Sequence, residues 1–141
     1  MKSGITHVIV PLVVLAAAAG AAVAAPLKSG AKLTVVPPAF YVGSSGADVL
    51  NGTNANDVLR GRGGNDTLHG RGGNDVVDGG TGNDRAWGDA GRDNIVGGVG
   101  NDRLYARDGR RDTLNGGPGF DQAWVDRLDV VRNVERVYRP E

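Results

Sequence analysis

Gly-Gly-Thr-Gly-Asn-Asp-Arg-Ala-Trp (residues 79–87) and Gly-Gly-Val-Gly-Asn-Asp-Arg-Leu-Tyr (residues 97–105) are two copies of one nine-residue unit, set 18 residues apart. Outward from this pair the unit recurs in both directions. Asp48, Asp57, Asp66, Asp75, Asp84, Asp93 and Asp102 stand nine residues apart, and after one inserted residue the count resumes at Asp112 and Asp121. Two places after each aspartate the residue is apolar: Leu50, Leu59, Leu68, Val77, Ala86, Ile95, Leu104, Leu114 and Ala123. Two places before it stands, in most units, a glycine: Gly46, Gly64, Gly73, Gly82, Gly91, Gly100 and Gly119. A short repeat carried through so much of a chain dictates its architecture.

The unit divides into two parts. Its first six residues are rich in Gly, Asn and Asp, which tolerate positive φ and form turns. Its last three, such as Thr67-Leu68-His69, fit a very short strand whose middle side chain points inward. Turn and strand alternate, so two units make one coil of 18 residues, and units 18 apart stack on the same edge. Asp48, Asp66, Asp84 and Asp102 then fall on one edge, and Asp57, Asp75 and Asp93 on the other. Stacked strands are about 4.8 Å apart. Two carboxylates at that spacing repel by about 1 kcal/mol in water and about 3 kcal/mol at an effective dielectric of 20. A column of them opposes folding unless cations lie between neighbours. Calcium suits the task, as a hard ion that takes six to eight oxygens in flexible geometry, whereas magnesium demands a stricter octahedron.

The pattern resembles the RTX (hemolysin-type) calcium-binding nonapeptide, G-G-x-G-x-D-x-U-x with U a large apolar residue. The resemblance implies an all-β fold, a right-handed parallel β-roll with several calcium ions between successive turns. It implies as ligands the carboxylates of the nine repeat aspartates (Asp48 to Asp121) and carbonyls of the turns that hold Gly64, Gly73, Gly79, Gly82, Gly91, Gly97, Gly100 and Gly119. The alternative is a metal-free solenoid in which Asp and Gly only punctuate turns. Some units depart from the motif. Gly-Ser-Ser-Gly-Ala-Asp (43–48) and Gly-Thr-Asn-Ala-Asn-Asp (52–57) lack the second glycine, and Arg107-Asp108-Gly109-Arg110-Arg111-Asp112 carries the insertion. The last is expected to bulge and to hold its ion weakly.

Around the repeats, residues 1–24 read as a signal peptide. Lys2 precedes an apolar run from His7 to Ala21, and Ala22-Val23-Ala24 offers a small-residue cleavage site. An uncleaved anchor is the alternative. Export, with no membrane span after cleavage, makes an extracellular location the expectation, and the absence of cysteine agrees with it. Residues 25–42 form an arm or N-terminal cap in which Leu33–Val36 is a possible strand ended by Pro37-Pro38, and Ala39-Phe40-Tyr41-Val42 supplies apolar cover. The roll is assigned to 43–125 and a C-terminal cap to 126–141, with Val125, Leu128, Val131 and Val134 continuing the apolar stack. Asp126 and Asp129 are candidates for a last calcium site, although their spacing of three does not match the repeat.

Three residues after the aspartates of one edge come His69, Trp87, Tyr105 and Trp124, a column of rings on one outer face, with Arg85 and Arg103 beside it. A stabilising ladder aided by cation–π contacts is one reading. A strip for a cell-surface glycan or protein, in a calcium-scaffolded adhesin, is the other. Catalysis is not expected: no G-x-S-x-G, H-E-x-x-H or Ser/His/Asp set occurs. Net charge is zero and the thirteen arginines are interspersed with aspartates, so no nucleic-acid partner is expected.

Overall fold

The computed structural model describes residues 37–140. The expected signal segment and the Leu33–Val36 strand lie outside them. Twelve short strands follow in order: β1 (Phe40–Val42), β2 (Val49–Asn51), β3 (Val58–Gly63), β4 (Thr67–His69), β5 (Val76–Thr81), β6 (Arg85–Trp87), β7 (Asn94–Val99), β8 (Arg103–Ala106), β9 (Thr113–Asn115), β10 (Gln122–Val125), β11 (Val130–Arg132) and β12 (Arg136–Tyr138). The odd strands stack in chain order into one six-stranded sheet and the even strands into a second. Every strand pair is parallel. The chain therefore winds as a parallel β-roll of about six coils.

Register follows the 18-residue coil: Leu59 pairs with Val77, and Leu68 with Ala86. The middle residue of each repeat strand points inward, as alternation along a strand requires. Tyr41, Leu59, Val77, Ile95 and Leu114 line the inside of the first sheet, facing Leu50, Leu68, Ala86, Leu104 and Ala123 of the second. Apart from Tyr41 and Leu50 at the N-terminal end, all of these side chains are completely buried. The core is one residue wide on each side, and its continuity comes from stacking.

The flanking segments continue the winding. Tyr41 pairs with Leu59, so Phe40–Val42 forms a rung of the first sheet, and Val131 and Val137 extend the two sheets beside Leu114 and Ala123. Val125 is buried, and Val131 and Val134 pack against the core. Leu128 does not join the apolar stack as expected: it is 60 % exposed. It stands immediately before Asp129, the position filled by Asn in most repeats, and that position faces outward. The inserted residue is absorbed between β8 and β9, leaving the register of Asn94–Val96 with Thr113–Asn115 intact.

Candidate metal centre

Each repeat aspartate stands immediately before a short strand, with its carboxylate buried at the coil edge. All nine are buried, as is Asp129. The two carboxylate oxygens do different work. One, Oδ1, accepts the main-chain N–H of the aspartate one coil earlier: Asp48 N–H bonds Asp66 at 2.8 Å, Asp66 N–H bonds Asp84 at 2.7 Å, and Asp84 N–H bonds Asp102 at 2.8 Å. The other edge repeats this from Asp57 to Asp75 and from Asp75 to Asp93. The insertion leaves the pattern intact, because Asp93 N–H reaches Asp112 and Asp102 N–H reaches Asp121, both at 2.8 Å.

The second oxygen, Oδ2, divides the nine aspartates into two groups. In Asp66, Asp75, Asp84, Asp93, Asp102, Asp112 and Asp121 it is buried with no hydrogen-bond partner. A buried carboxylate oxygen left unpaired is costly. In Asp48 and Asp57 it is satisfied. Ser44 donates N–H and Oγ–H to Asp48 at 2.5 and 2.9 Å, and Thr53 does the same for Asp57 at 2.5 and 2.9 Å.

The turn backbone explains the difference. In six of the seven units with an unpaired Oδ2, all but that of Asp112, the second residue is left-handed: Arg62 (φ 78°), Arg71 (φ 74°), Gly80 (φ 103°), Asp89 (φ 62°), Gly98 (φ 108°) and Gly117 (φ 108°). At Gly98 the N–H then bonds the carbonyl of Gly116 in the next coil at 2.9 Å instead of its own aspartate. Ser44 and Thr53 have ordinary negative φ and aim their N–H at the carboxylate. Left-handed geometry costs a non-glycine residue about 1–2 kcal/mol. Arg62→Gly is therefore expected to raise stability by about 1 kcal/mol, read as a higher urea midpoint at saturating calcium with an unchanged m-value.

The orphaned oxygens border a cradle. A Cβ placed on Gly97 would lie 2.5 Å from Asp102 Oδ2 and 2.7 Å from the carbonyl oxygen of Gly116, one coil on. At Gly70 the same point is 2.5 Å from Asp75 Oδ2 and 2.6 Å from the carbonyl oxygen of Gly88. Oxygens from two successive coils thus converge where only glycine leaves room. Gly61, Gly70, Gly88 and Gly116 share this first position with the sequence-assigned Gly79 and Gly97. The assigned Gly64, Gly73, Gly82, Gly91, Gly100 and Gly119 sit at the fourth position, where positive φ is needed. By register Ala106 takes the place of Gly88's successor and carries a methyl group into it.

Crowded unpaired carboxylates hold protons tightly. Burial, then repulsion from the neighbouring aspartates, pushes Asp66, Asp75 and Asp102 up to about 6, and Asp93 and Asp112 up to about 7. Among the described residues no three His, Cys, Asp or Glu side chains gather as a ready-made metal site. A cation here must take most of its oxygens from the backbone. One or two carboxylates plus several carbonyls is an all-oxygen set that fits calcium.

Residues 42–77 and 78–111 match the family model of the RTX calcium-binding nonapeptide repeat (4 copies). The roll belongs to the RTX calcium-binding repeat family. No curated protein matches the chain. The RTX assignment agrees with the geometry on the nature of the ion, since the family binds calcium through these repeats.

Two further acids join the carboxylate columns: Asp129, singled out in the sequence with Asp126 for a last calcium site, and Glu135, which the sequence reading passed over. Asp112 N–H bonds Asp129 Oδ1 at 2.9 Å, and Asp121 N–H bonds Glu135 Oε2 at 2.7 Å. Their spacings of 17 and 14 residues break the repeat, so periodicity was blind to them. Asp129 Oδ2 accepts the N–H of Asp126 at 2.6 Å, a closure like those of Ser44 and Thr53. Asp126 itself bonds Gly109 N–H at 2.5 Å.

The outer ring column is continuous and longer than expected. His69, Trp87, Tyr105, Trp124 and Tyr138 stack with centroids 4.4, 4.5, 4.7 and 4.8 Å apart and interplanar angles of 7–16°. Arginine does not stack on it as expected. Among the described residues the cation–π contacts are Arg60 over Phe40 and Arg136 over Phe120. His69 Nδ1 lies 3.3 Å from Asp89 Oδ2.

Proposed function

We propose that this RTX roll is an exported module whose folding is switched on by extracellular calcium. The observation that carries the reading is the set of seven buried, unpartnered Oδ2 atoms, stacked coil upon coil beside backbone carbonyls. Without a cation these oxygens oppose folding; with one between coils they become its strongest cross-links. Asp66, Asp75, Asp84, Asp93, Asp102 and Asp121 are the assigned carboxylate ligands, with the turn carbonyls completing the shell. Asp112 is a weaker one, because the Ala106 methyl narrows its cradle. Asp48, Asp57 and Asp129 hold their turns closed by hydrogen bonds and need no ion. Affinity belongs in the 10⁻⁴–10⁻³ M range, roughly that of extracellular calcium modules. Residues 1–24 are the export signal in this proposal, and no chemistry beyond binding is assigned to the chain.

The test is a calcium titration followed by far-UV circular dichroism and by calorimetric stoichiometry, with magnesium as control. Cooperative gain of β structure with calcium but not magnesium is expected, with fewer ions bound by Asp102→Asn and an unchanged number by Asp48→Asn. A chain already folded in chelator at neutral pH would reject the proposal and leave a metal-free solenoid.

The ring column supports a structural role better than an adhesive one. Sugar rings pack on aromatic faces, and here every face between His69 and Tyr138 is covered by the neighbouring ring. Stacked pairs contribute about 0.5–1.5 kcal/mol each beyond burial.

A further inference from the structure

The sequence is neutral, but its surface is not. Of the sixteen Asp and Glu in the chain, ten aspartates are buried in the two columns. All thirteen arginines are exposed, and the acids left outside among the described residues are Asp78, Asp89, Asp108, Asp126 and Glu135. Among those residues no arginine lies within 4.0 Å of a carboxylate. The interspersion of Arg and Asp along the chain becomes, in space, a separation of inside from outside. Once cations neutralise the interior, the molecule presents a basic exterior.

One part of that exterior is ordered. An open groove of about 730 Å³ runs along the second sheet beside the turns, lined by Asn65, Asn83, Asn101, Arg85, Arg103 and Phe120 among others. Asn65, Asn83 and Asn101 turn their Oδ1 inward to accept the N–H of the next coil, each at 2.8 Å. Their amide NH₂ groups are left for the groove. Arg85 and Arg103 are register partners on adjacent strands, about 4.8 Å apart. Asp66 and Asp84 border the groove, but their carboxylates are buried inward. The groove therefore offers an amide donor from each of three successive coils and positive charge from two of them, Arg85 and Arg103, along the stacking axis. Two guanidinium groups borne by register-paired residues repel unless anions lie against them, and their planar forks suit carboxylate or sulfate.

We propose that this groove binds an extended acidic polysaccharide, its anionic groups set against successive coils. An elongated polymer is favoured over a single small anion because the donors repeat along an axis. A sugar chain is favoured over single-stranded nucleic acid because bases need open ring faces for stacking. The ring column offers none, and Arg136 lies over Phe120. The proposal rests on the calcium reading only in requiring a folded roll.

The experiment uses the full chain at fixed free calcium, with fluorescence anisotropy of labelled oligogalacturonate at low and high salt. Expected are binding that weakens as salt rises and a loss of about tenfold or more for Arg85→Gln/Arg103→Gln. The double variant should keep its calcium titration and dichroism spectrum, and Arg60→Gln/Arg132→Gln on the other sheet should bind like the parent. Failure of the folded parent to bind overturns the proposal. So does full binding by the groove variant, or equal affinity for a single-stranded oligonucleotide of matched charge. Binding by a chain that is folded in chelator would remove the calcium switch and leave the groove standing. No binding by a calcium-folded chain would do the reverse.

Discussion

Stripped of divalent cations at pH 7.5, the roll is expected to lose its β structure, and acidification to about pH 5 is expected to restore part of it. The sign follows from the carboxylates. In the unfolded chain an aspartate has the ordinary value of 3.8, whereas in the fold Asp66, Asp75 and Asp102 rise to about 6 and Asp93 and Asp112 to about 7. The folded state therefore holds more protons than the unfolded state between those limits. Metal-free stability is greatest at the acid end, falls as pH rises above about 4, and reaches its floor above about 7. A tenfold change in proton affinity corresponds to about 1.4 kcal/mol. Taking only one such factor of ten from each of these five groups gives about 7 kcal/mol, comparable with the whole stability of a small domain. Far-UV dichroism in chelator across pH 4.5–8 reads this directly. A spectrum that loses β structure toward acid would contradict it. With calcium bound the dependence reverses, because protons then compete with the ion for the same oxygens.

The second large effect is expected at Gly100. Its φ is 144°, and an added Cβ would lie 2.6 Å from the carbonyl carbon of Gly82 in the preceding coil. Alanine there must accept a backbone region nearly closed to it and push two coils apart, straining the calcium cradles on either side. A loss of about 3 kcal/mol or more is expected, from strain and lost packing together. Gly109→Ala is the matched control. Gly109 also has positive φ (80°), but nothing lies within 4 Å of its Cβ position, so a loss of only about 1 kcal/mol is expected. Urea unfolding of both variants at saturating calcium separates crowding between coils from conformational strain alone. Equal losses would mean that coil contact at Gly100 contributes nothing.

The fold was largely readable because the repeat supplies both of its periods. The residue two places after each aspartate had to be inward once strands alternated with turns, and Leu59, Leu68, Val77 and Ile95 are fully buried. The ring column was readable for the same reason. What stayed hidden was whatever does not repeat. Nothing in the spacing of Asp129 or Glu135 reveals that each accepts the N–H of a repeat aspartate one coil back. Ser44 and Thr53 looked like imperfect glycines, whereas their hydroxyls donate to the carboxylates of Asp48 and Asp57. Charge was misleading in sequence because alternation along a strand converts neighbours into opposites, one inside and one out. Arg85 beside Asp84 is the clearest case: the aspartate is 1 % exposed and the arginine points to solvent.

The carboxylate columns also have a direction. Every repeat aspartate's N–H is held by an acid farther along the chain, from Asp48 held by Asp66 to Asp121 held by Glu135. No coil can therefore lock until the following one exists. A chain made N-terminus first carries its newest coil unlocked at every moment, and the segment from Asp129 to Glu135 supplies the last of these hydrogen bonds. The C-terminal segment acts as the keystone of an arch, inert alone and decisive when it arrives.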